Sequence, residues 1–388
     1  MTRWSRLRSN TVTQPARHVL ITGANGFVGR NLAVRLAELP SYSVSTFVRG
    51  DDVAQLPELV SKSDAVIHLA GENRPADESA FAQVNTGLTV ALCDAIAHEV
   101  RNHGRKIPLL LASSTQAERD NPYGKSKLAA EQAAQSLVET TGNPCVVFRL
   151  PGVFGKWCKP NYNSVVATFC HNIARGLPIQ INDPSATVRL VYADDVVSAF
   201  IAALDSPAPG FARGVVQPEY AVTLGELASQ IRAFNDCRTT LQTERVGVGL
   251  VRALYATYVS YLPNEKFAYE VQQYADPRGV FVEMLKTPDC GQFSYFTAHP
   301  GVTRGGHYHH TKTEKFLVIK GTALFRFRHL LTDELVELRT SGDKPEVVDT
   351  IPGWAHDITN VGSDEMVVML WANENFDRER PDTVASKV

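Results

Sequence analysis

Two groups of side chains in this 388-residue chain have types and spacings fit for chemistry. The first is Tyr123-Gly-Lys-Ser-Lys127, which places a phenol and an ammonium at i and i+4, on one face of a helix. An ammonium beside a phenol lowers its pKa, so proton donation and acceptance both come within reach near neutrality. The second is His307-Tyr-His309-His310-Thr-Lys-Thr-Glu314, with His356 further on in Pro352-Gly353-Trp-Ala-His356. On a strand, His307 and His309 share a face because side chains alternate. Three imidazoles and one carboxylate suit zinc, manganese, iron or nickel and exclude a closed thiolate site.

A third group would hold a ligand rather than transform it. His18–Thr22 reads as a strand and runs into Gly23-Ala24-Asn25-Gly26-Phe27-Val28-Gly29, which opens a helix. Gly23 permits the tight turn, Gly26 lets backbone approach a pyrophosphate, and Gly29 lets helix and strand pack closely. The phosphates would then sit on the N–H groups of the helix start. The second strand ends at Phe47-Val48-Arg49, followed by Asp51 and Asp52. A base at this place accommodates a 2′-phosphate, so Arg49 points to NADPH; the alternative is that Asp51 does the reading.

These groups need elements to position them. Up to Leu150, strand-like runs at Ser43–Val48, Asp64–Ala70, Leu109–Ser113 and Cys145–Leu150 alternate with helical stretches at Phe27–Leu39, Phe81–Val100 and Tyr123–Glu139. Such alternation predicts a doubly wound parallel sheet, an α/β Rossmann-like fold. Beyond Phe267 the rhythm becomes all-β, with short strands expected at Val280–Leu285, Gln292–His299, Phe316–Ile319, Ala323–Arg328, Val347–Ile351 and Met366–Trp371. The expected division is a disordered tail over 1–16, an NADP-binding domain over 17–246, a connector over 247–266, helical and apolar on one side, and a metal-binding barrel over 267–388. Ordinary composition, with 44% hydrophobic and 21% charged residues, excludes a disordered or fibrous chain. A net charge of −2 offers no field for nucleic acid or an anionic membrane. Six scattered cysteines form no disulfide framework, which points to a reducing compartment, the cytoplasm.

With these residues in place, the chain resembles the extended short-chain dehydrogenase/reductase superfamily over about residues 17–245. The resemblance implies Tyr123 as proton donor to a substrate carbonyl and Lys127 as holder of the nicotinamide ribose. It implies Ser114 as hydrogen-bond partner of the reacting oxygen, with Ser113 and Thr115 as neighbouring hydroxyls. His68 and Ala70, in His68-Leu-Ala-Gly71, would lie beside the adenine and ribose, and Asn85 would be the active-site asparagine. Arg189, in Arg189-Leu-Val-Tyr-Ala-Asp-Asp195, would meet a diphosphate, unless it pairs with Asp194 or Asp195.

The histidine run resembles the cupin pattern, and the second motif departs from it in that Pro352 directly precedes Gly353. Both halves together are similar to the CapF/WbjC-type family of capsular polysaccharide synthesis enzymes. Asp120–Lys127, Val153–Asn163, His307–His310 and Phe281–Leu285 carry that likeness. It implies a zinc cupin that inverts C3 of UDP-2-acetamido-2,6-dideoxy-β-L-arabino-4-hexulose. It further implies a reductase domain that uses NADPH at C4 to give UDP-N-acetyl-6-deoxy-L-talosamine, a precursor of UDP-N-acetyl-L-fucosamine. Asn161 and Asn163 would join Arg189 as substrate residues, and the chain would be a homodimer. One ketone accounts for both chemistries, since it accepts hydride at C4 and acidifies the C3–H. The alternative is a 4-ketosugar reductase whose cupin serves only as a metal-stabilised dimerisation or binding module.

Overall fold

The computed structural model describes residues 15–73, 77, 81–276, 279–282, 284–285, 291–374 and 379–388. Residues 1–14 of the expected tail lie outside them. Two compact units emerge, one of residues 1–149 and 199–215, the other of 150–198 and 216–388. The expected boundary at 246 thus falls inside the second unit.

In the first unit, strands β1 (Arg17–Thr22), β2 (Tyr42–Phe47), β3 (Ala65–His68), β4 (Leu109–Ser114) and β5 (Cys145–Leu150) alternate with helices α1 (Phe27–Ala37), α2 (Leu56–Ser61), α3 (Leu88–His103) and α4 (Pro122–Thr141). Val19, Leu20, Ile21, Val66 and Ile67 are fully buried, as expected of strands covered on both faces. The sheet order β2-β1-β3-β4-β5-β8 includes β8 (Phe211–Gly214) from beyond the second unit's first segment. Chain order reverses between β1 and β3, and the crevice at such a switch point is where ligands bind. The helix expected from Phe81 begins with a π-helical turn, Phe81–Gly87, before α3; such turns gather at functional sites.

The second unit opens with β6 (Gly152–Phe154), α5 (Val165–Ala174) and β7 (Thr187–Tyr192). α6 (Ala193–Asp205) then leads out of it, and β9 (Glu219–Thr223), α7 (Leu224–Thr240) and α8 (Gly249–Val259) follow. The connector α8 differs from expectation: every residue from Ala253 to Val259 is buried, so it is core on all sides where it packs against α5 and α7. After it come β10 (Ala268–Glu270), β11 (Gln273–Asp276), β12 (Gly279–Val282), β13 (Gln292–Ala298), β14 (Thr303–Tyr308), β15 (Glu314–Lys320), β16 (Thr322–His329), β17 (Leu335–Ser341), β18 (Glu346–Asp349), β19 (Trp354–Asn360), β20 (Met366–Ala372) and β21 (Val384–Ala385). Ten of them build two five-stranded sheets, β10-β18-β15-β20-β13 and β17-β16-β19-β14-β21, with antiparallel neighbours throughout, and β11 and β12 pair with each other. The strand expected over Val280–Leu285 is β12 as far as Val282; residues 283 and 286–290 lie outside the described residues.

Candidate active site and metal centre

At the switch point, Gly23 has a φ of +72°, and a Cβ there would lie 2.6 Å from the Ala70 nitrogen. A Cβ on Gly29 would lie 2.3 Å from the Gly23 carbonyl oxygen. Only glycine allows this turn and this approach of α1 to β1. α1 starts after Gly26 with no side-chain cap and no acid in its first turn. Its first N–H groups and the positive end of its dipole are therefore left for an anion, and a dinucleotide pyrophosphate fits this cradle. Asn25 and Gly26 are exposed on it, while Phe27 and Val28 are half-buried.

The two acids behind β2 serve the backbone. The Asp51 carboxylate accepts from the Val48 N–H (2.7 Å) and that of Asp52 from the Ala54 N–H (3.0 Å). Arg49 is exposed and pairs with Glu72. His68 is a packed histidine: Nδ1 meets the Thr22 hydroxyl at 2.5 Å and Nε2 the Thr89 hydroxyl at 2.9 Å. With both ring nitrogens used internally, this stretch offers a ligand its backbone at Ala70 and Gly71 rather than the imidazole.

Asn121 caps α4 through the Gly124 N–H at 2.8 Å, with Pro122 in the first turn. This sets Tyr123 and Lys127 one turn apart. Of the three neighbouring hydroxyls, that of Ser114 is the one that acts on the Tyr123 phenol, in the direction that lowers its pKa. Ser113 instead donates to Glu131 at 2.5 Å. The Lys127 ammonium donates to the Ala112 carbonyl (3.2 Å) and lies 5.9 Å from the Tyr123 ring centroid. Burial lowers its pKa to about 8, against the opposing charge of Glu131. The expected lowering of the Tyr123 pKa is not found. Burial raises it and outweighs the Ser114 hydrogen bond, which keeps the phenol protonated and fit to donate. Asn85 is buried in the π-turn; it accepts from the Glu72 N–H (2.7 Å) and donates to the Glu72 carbonyl (3.2 Å) and the Ser126 hydroxyl (3.0 Å). It thus holds the strand end that carries Gly71, whose Cβ would lie 3.1 Å from the Lys127 nitrogen. Sequence reading missed Glu131, the shared anion of Ser113, Arg149 and Arg213. Its i+4 spacing from Lys127 was the available signal.

In the second unit, Arg189 pairs with Glu219, not with Asp194 or Asp195. The cause is register: β7 runs antiparallel to β9, with Val191 opposite Glu219 and Arg189 opposite Ala221. Asp194 pairs with the buried Lys156 at 2.8 Å. Asn161 and Asn163 are exposed in the loop before α5, and the Asn161 amide donates to Asn172 at 3.4 Å. No contact among the described residues brings these two asparagines to Arg189.

The histidine cluster does assemble. His307 on β14 stands opposite His356 on β19, and Glu314 opens β15. β14 ends at Tyr308, so His309 lies just past the strand, yet its ring centroid is 4.9 Å from that of His307. One ligand atom from each of His307, His309, Glu314 and His356 lies within 4.8 Å of the others. Burial, then the neighbouring His356 and His309, push the His307 pKa to about 4, so it stays neutral. His309 Nδ1 faces the Asp382 carbonyl at 2.5 Å and must donate to it. Nε2 lies 3.1 Å from a Glu314 oxygen, so the two can ligate one cation together. Both nitrogens of the buried His356 have no hydrogen-bond partner among the described residues. A transition metal fits this donor set.

Residues 19–217 match the sequence model of the NAD dependent epimerase/dehydratase family. The chain belongs to that family. Residues 274–384 match the polysaccharide biosynthesis C-terminal domain. Across 370 residues the chain is 59% identical to the Pseudomonas aeruginosa UDP-2-acetamido-2,6-beta-L-arabino-hexul-4-ose reductase, covering 95% of this chain and 98% of that protein. The human dTDP-D-glucose 4,6-dehydratase is 28% identical over 240 residues, 50% of this chain and 67% of its own length. Among solved structures, the capsular polysaccharide assembling protein CapF from Staphylococcus aureus aligns with a TM-score of 0.62 at 39% identity, over 96% of this chain and 100% of that one. The UDP-glucuronic acid 4-epimerase of Bacillus cereus, solved with UDP-glucuronic acid and NAD, shares the fold at 19% identity and a TM-score of 0.50, over 56% of this chain and 83% of that one. The 59% identical reductase and this family membership together make the chain an oxidoreductase of Rossmann-like fold.

Proposed function

We propose that this enzyme uses NADPH to reduce the C4 ketone of a UDP-4-keto amino sugar after its C-terminal domain has inverted C3. The substrate is UDP-2-acetamido-2,6-dideoxy-β-L-arabino-4-hexulose, and the product UDP-N-acetyl-6-deoxy-L-talosamine leads on to UDP-N-acetyl-L-fucosamine for a surface polysaccharide. The observation that carries this reading is the Tyr123–Lys127 pair with Ser114 and a cluster of three histidines and a glutamate within one chain, together with the 59% identical reductase. In it, residues 17–246 form the reductase, 247–266 the connector and 267–388 a cupin.

The Ser114 hydroxyl orients the ketone oxygen and Tyr123 O–H donates the proton to it. Lys127 holds the ribose and keeps positive charge beside the phenol as the proton leaves. Arg49 receives the 2′-phosphate, since Asp51 and Asp52 are committed to the turn. Arg189, Asn161 and Asn163 contact the sugar nucleotide, which requires Arg189 to leave Glu219. His307, His309, Glu314 and His356 would hold zinc. Bound, zinc supplies a Lewis acid for a carbonyl and NADPH a hydride. Among the described residues, five cysteines are free thiols, which fits the cytoplasm. Among the described residues, no helix is long and apolar enough to cross a membrane. An apolar strip on β13, β15 and β20, with Phe293 and Ile319 each 47% and Tyr295 72% exposed, supports a homodimer.

With the 4-ketosugar in D₂O and no NADPH, deuterium should enter at C3. No incorporation would leave only the reductase reading, with the cupin as a binding module. Tyr123→Phe should lower reduction by about 10²–10⁴ and spare the exchange. His309→Ala should abolish the exchange and spare reduction of the 4-ketosugar supplied with C3 already inverted.

A further inference from the structure

The segment from Glu379 onward returns across the turn between His309 and Glu314. The carboxylate of Asp382 accepts from three consecutive backbone N–H groups, those of His310 (2.9 Å), Thr311 (2.7 Å) and Lys312 (2.7 Å), and from the Thr311 hydroxyl (3.1 Å). Its backbone carbonyl is the partner of His309 Nδ1. The next hydroxyl, on Thr383, accepts from the Lys312 ammonium at 3.2 Å, and that ammonium also reaches Glu314 at 3.2 Å. Val384 and Ala385 then pair with Tyr308 and His307 as β21. Ser386 N–H donates to the Gly306 carbonyl (2.9 Å), and Arg328 grips the Ser386 hydroxyl (3.0 Å) and Lys387 carbonyl (2.8 Å). So many charge-assisted bonds hold the buried Asp382 ionised, down to about 2, against its burial.

We infer that Asp382 is the positioning residue of the metal centre. Its carboxylate fixes the turn that spaces His309 from Glu314, and its carbonyl fixes the tautomer that leaves His309 Nε2 free to ligate. Metal affinity therefore depends on a segment that contributes no ligand. This rests on the proposed metal reading and adds to it.

The test is competition for Zn²⁺ against a chromophoric chelator, with the full chain as wild type, Asp382→Ala, Asp382→Asn and His309→Ala. Asp382→Ala should weaken zinc binding about 10–100-fold, and Asp382→Asn less, because its amide oxygen still accepts. A purely structural role would lower the melting temperature and leave the affinity of the folded protein unchanged. Wild-type zinc affinity in folded Asp382→Ala, with loss in His309→Ala, would overturn the inference and leave the metal reading standing. Wild-type affinity in His309→Ala as well would overturn both. Should Asp382→Ala not fold, hydrogen exchange of the wild type decides. Zinc should slow exchange at the His310, Thr311 and Lys312 amides, and no change there refutes the proposal.

Discussion

Arg49 rests on Glu72, whose own N–H and carbonyl are both gripped by Asn85. The guanidinium is thereby kept near the end of β2 when nothing else claims it. Arg49→Ser should raise KM for NADPH roughly tenfold, about 1.4 kcal/mol, and leave KM for NADH unchanged. An unchanged NADPH-to-NADH ratio would refute the 2′-phosphate assignment. The groups that local spacing announces do meet in space: the three glycines at one turn, Tyr123 with Lys127, and His307, His309, Glu314 and His356 in one cluster. Those set by distant pairing were not legible in the sequence. Arg189 meets Glu219 because two strands align, and Asp382 meets a turn 70 to 72 residues earlier. The sign of the Tyr123 shift was illegible for a related reason. Burial decides it, and i,i+4 spacing says nothing of burial.

Successive residues of a strand face opposite ways, and β15 uses this at its first two positions. Glu314 joins the ligand cluster, while Lys315 reaches Asp349 on β18 at 2.6 Å and the Tyr269 hydroxyl at 3.2 Å. Arg238 from α7 pairs with the same carboxylate and stacks 4.2 Å from the Tyr269 ring centroid. Burial works against the charge on Lys315, yet Asp349 holds its pKa well above the usual value. Asp349→Ala would strand two buried cations and should cost about 3–5 kcal/mol, read by urea denaturation. A loss below about 1 kcal/mol would mean that water relieves the site. The alternation of strand and helix up to Leu150 was readable because both faces of that sheet impose their periods on the sequence. The π-turn at Phe81–Gly87 and the all-round burial of α8 were not, since each depends on what packs against the element.

His68 titrates against the whole first unit. Burial, then the charge of Lys127, lowers its pKa to about 3, whereas an unfolded histidine titrates near 6.5. Between these values the unfolded chain holds a proton that the folded chain refuses, so stability falls as pH falls. From pH 7 to pH 5 this amounts to about 2 kcal/mol. His68→Gln, uncharged at both pH values, should lose correspondingly less stability than wild type over that interval in urea titrations. Equal losses would show that the imidazole is not held neutral. At this scale the sequence reads as two domains joined near residues 247–266, while compactness, which depends on contacts between distant segments, groups the chain differently. The chain enters the second unit at Leu150, leaves it in the middle of α6, and re-enters at Val216. There, Phe154, Phe234 and Tyr258 share one apolar cluster with Phe316, Phe327 and Trp371. The β-rich part is therefore no detachable bead on a string. A substitution in it is felt by the helices α7 and α8 that precede it in the chain, because both sides fill one close-packed interior.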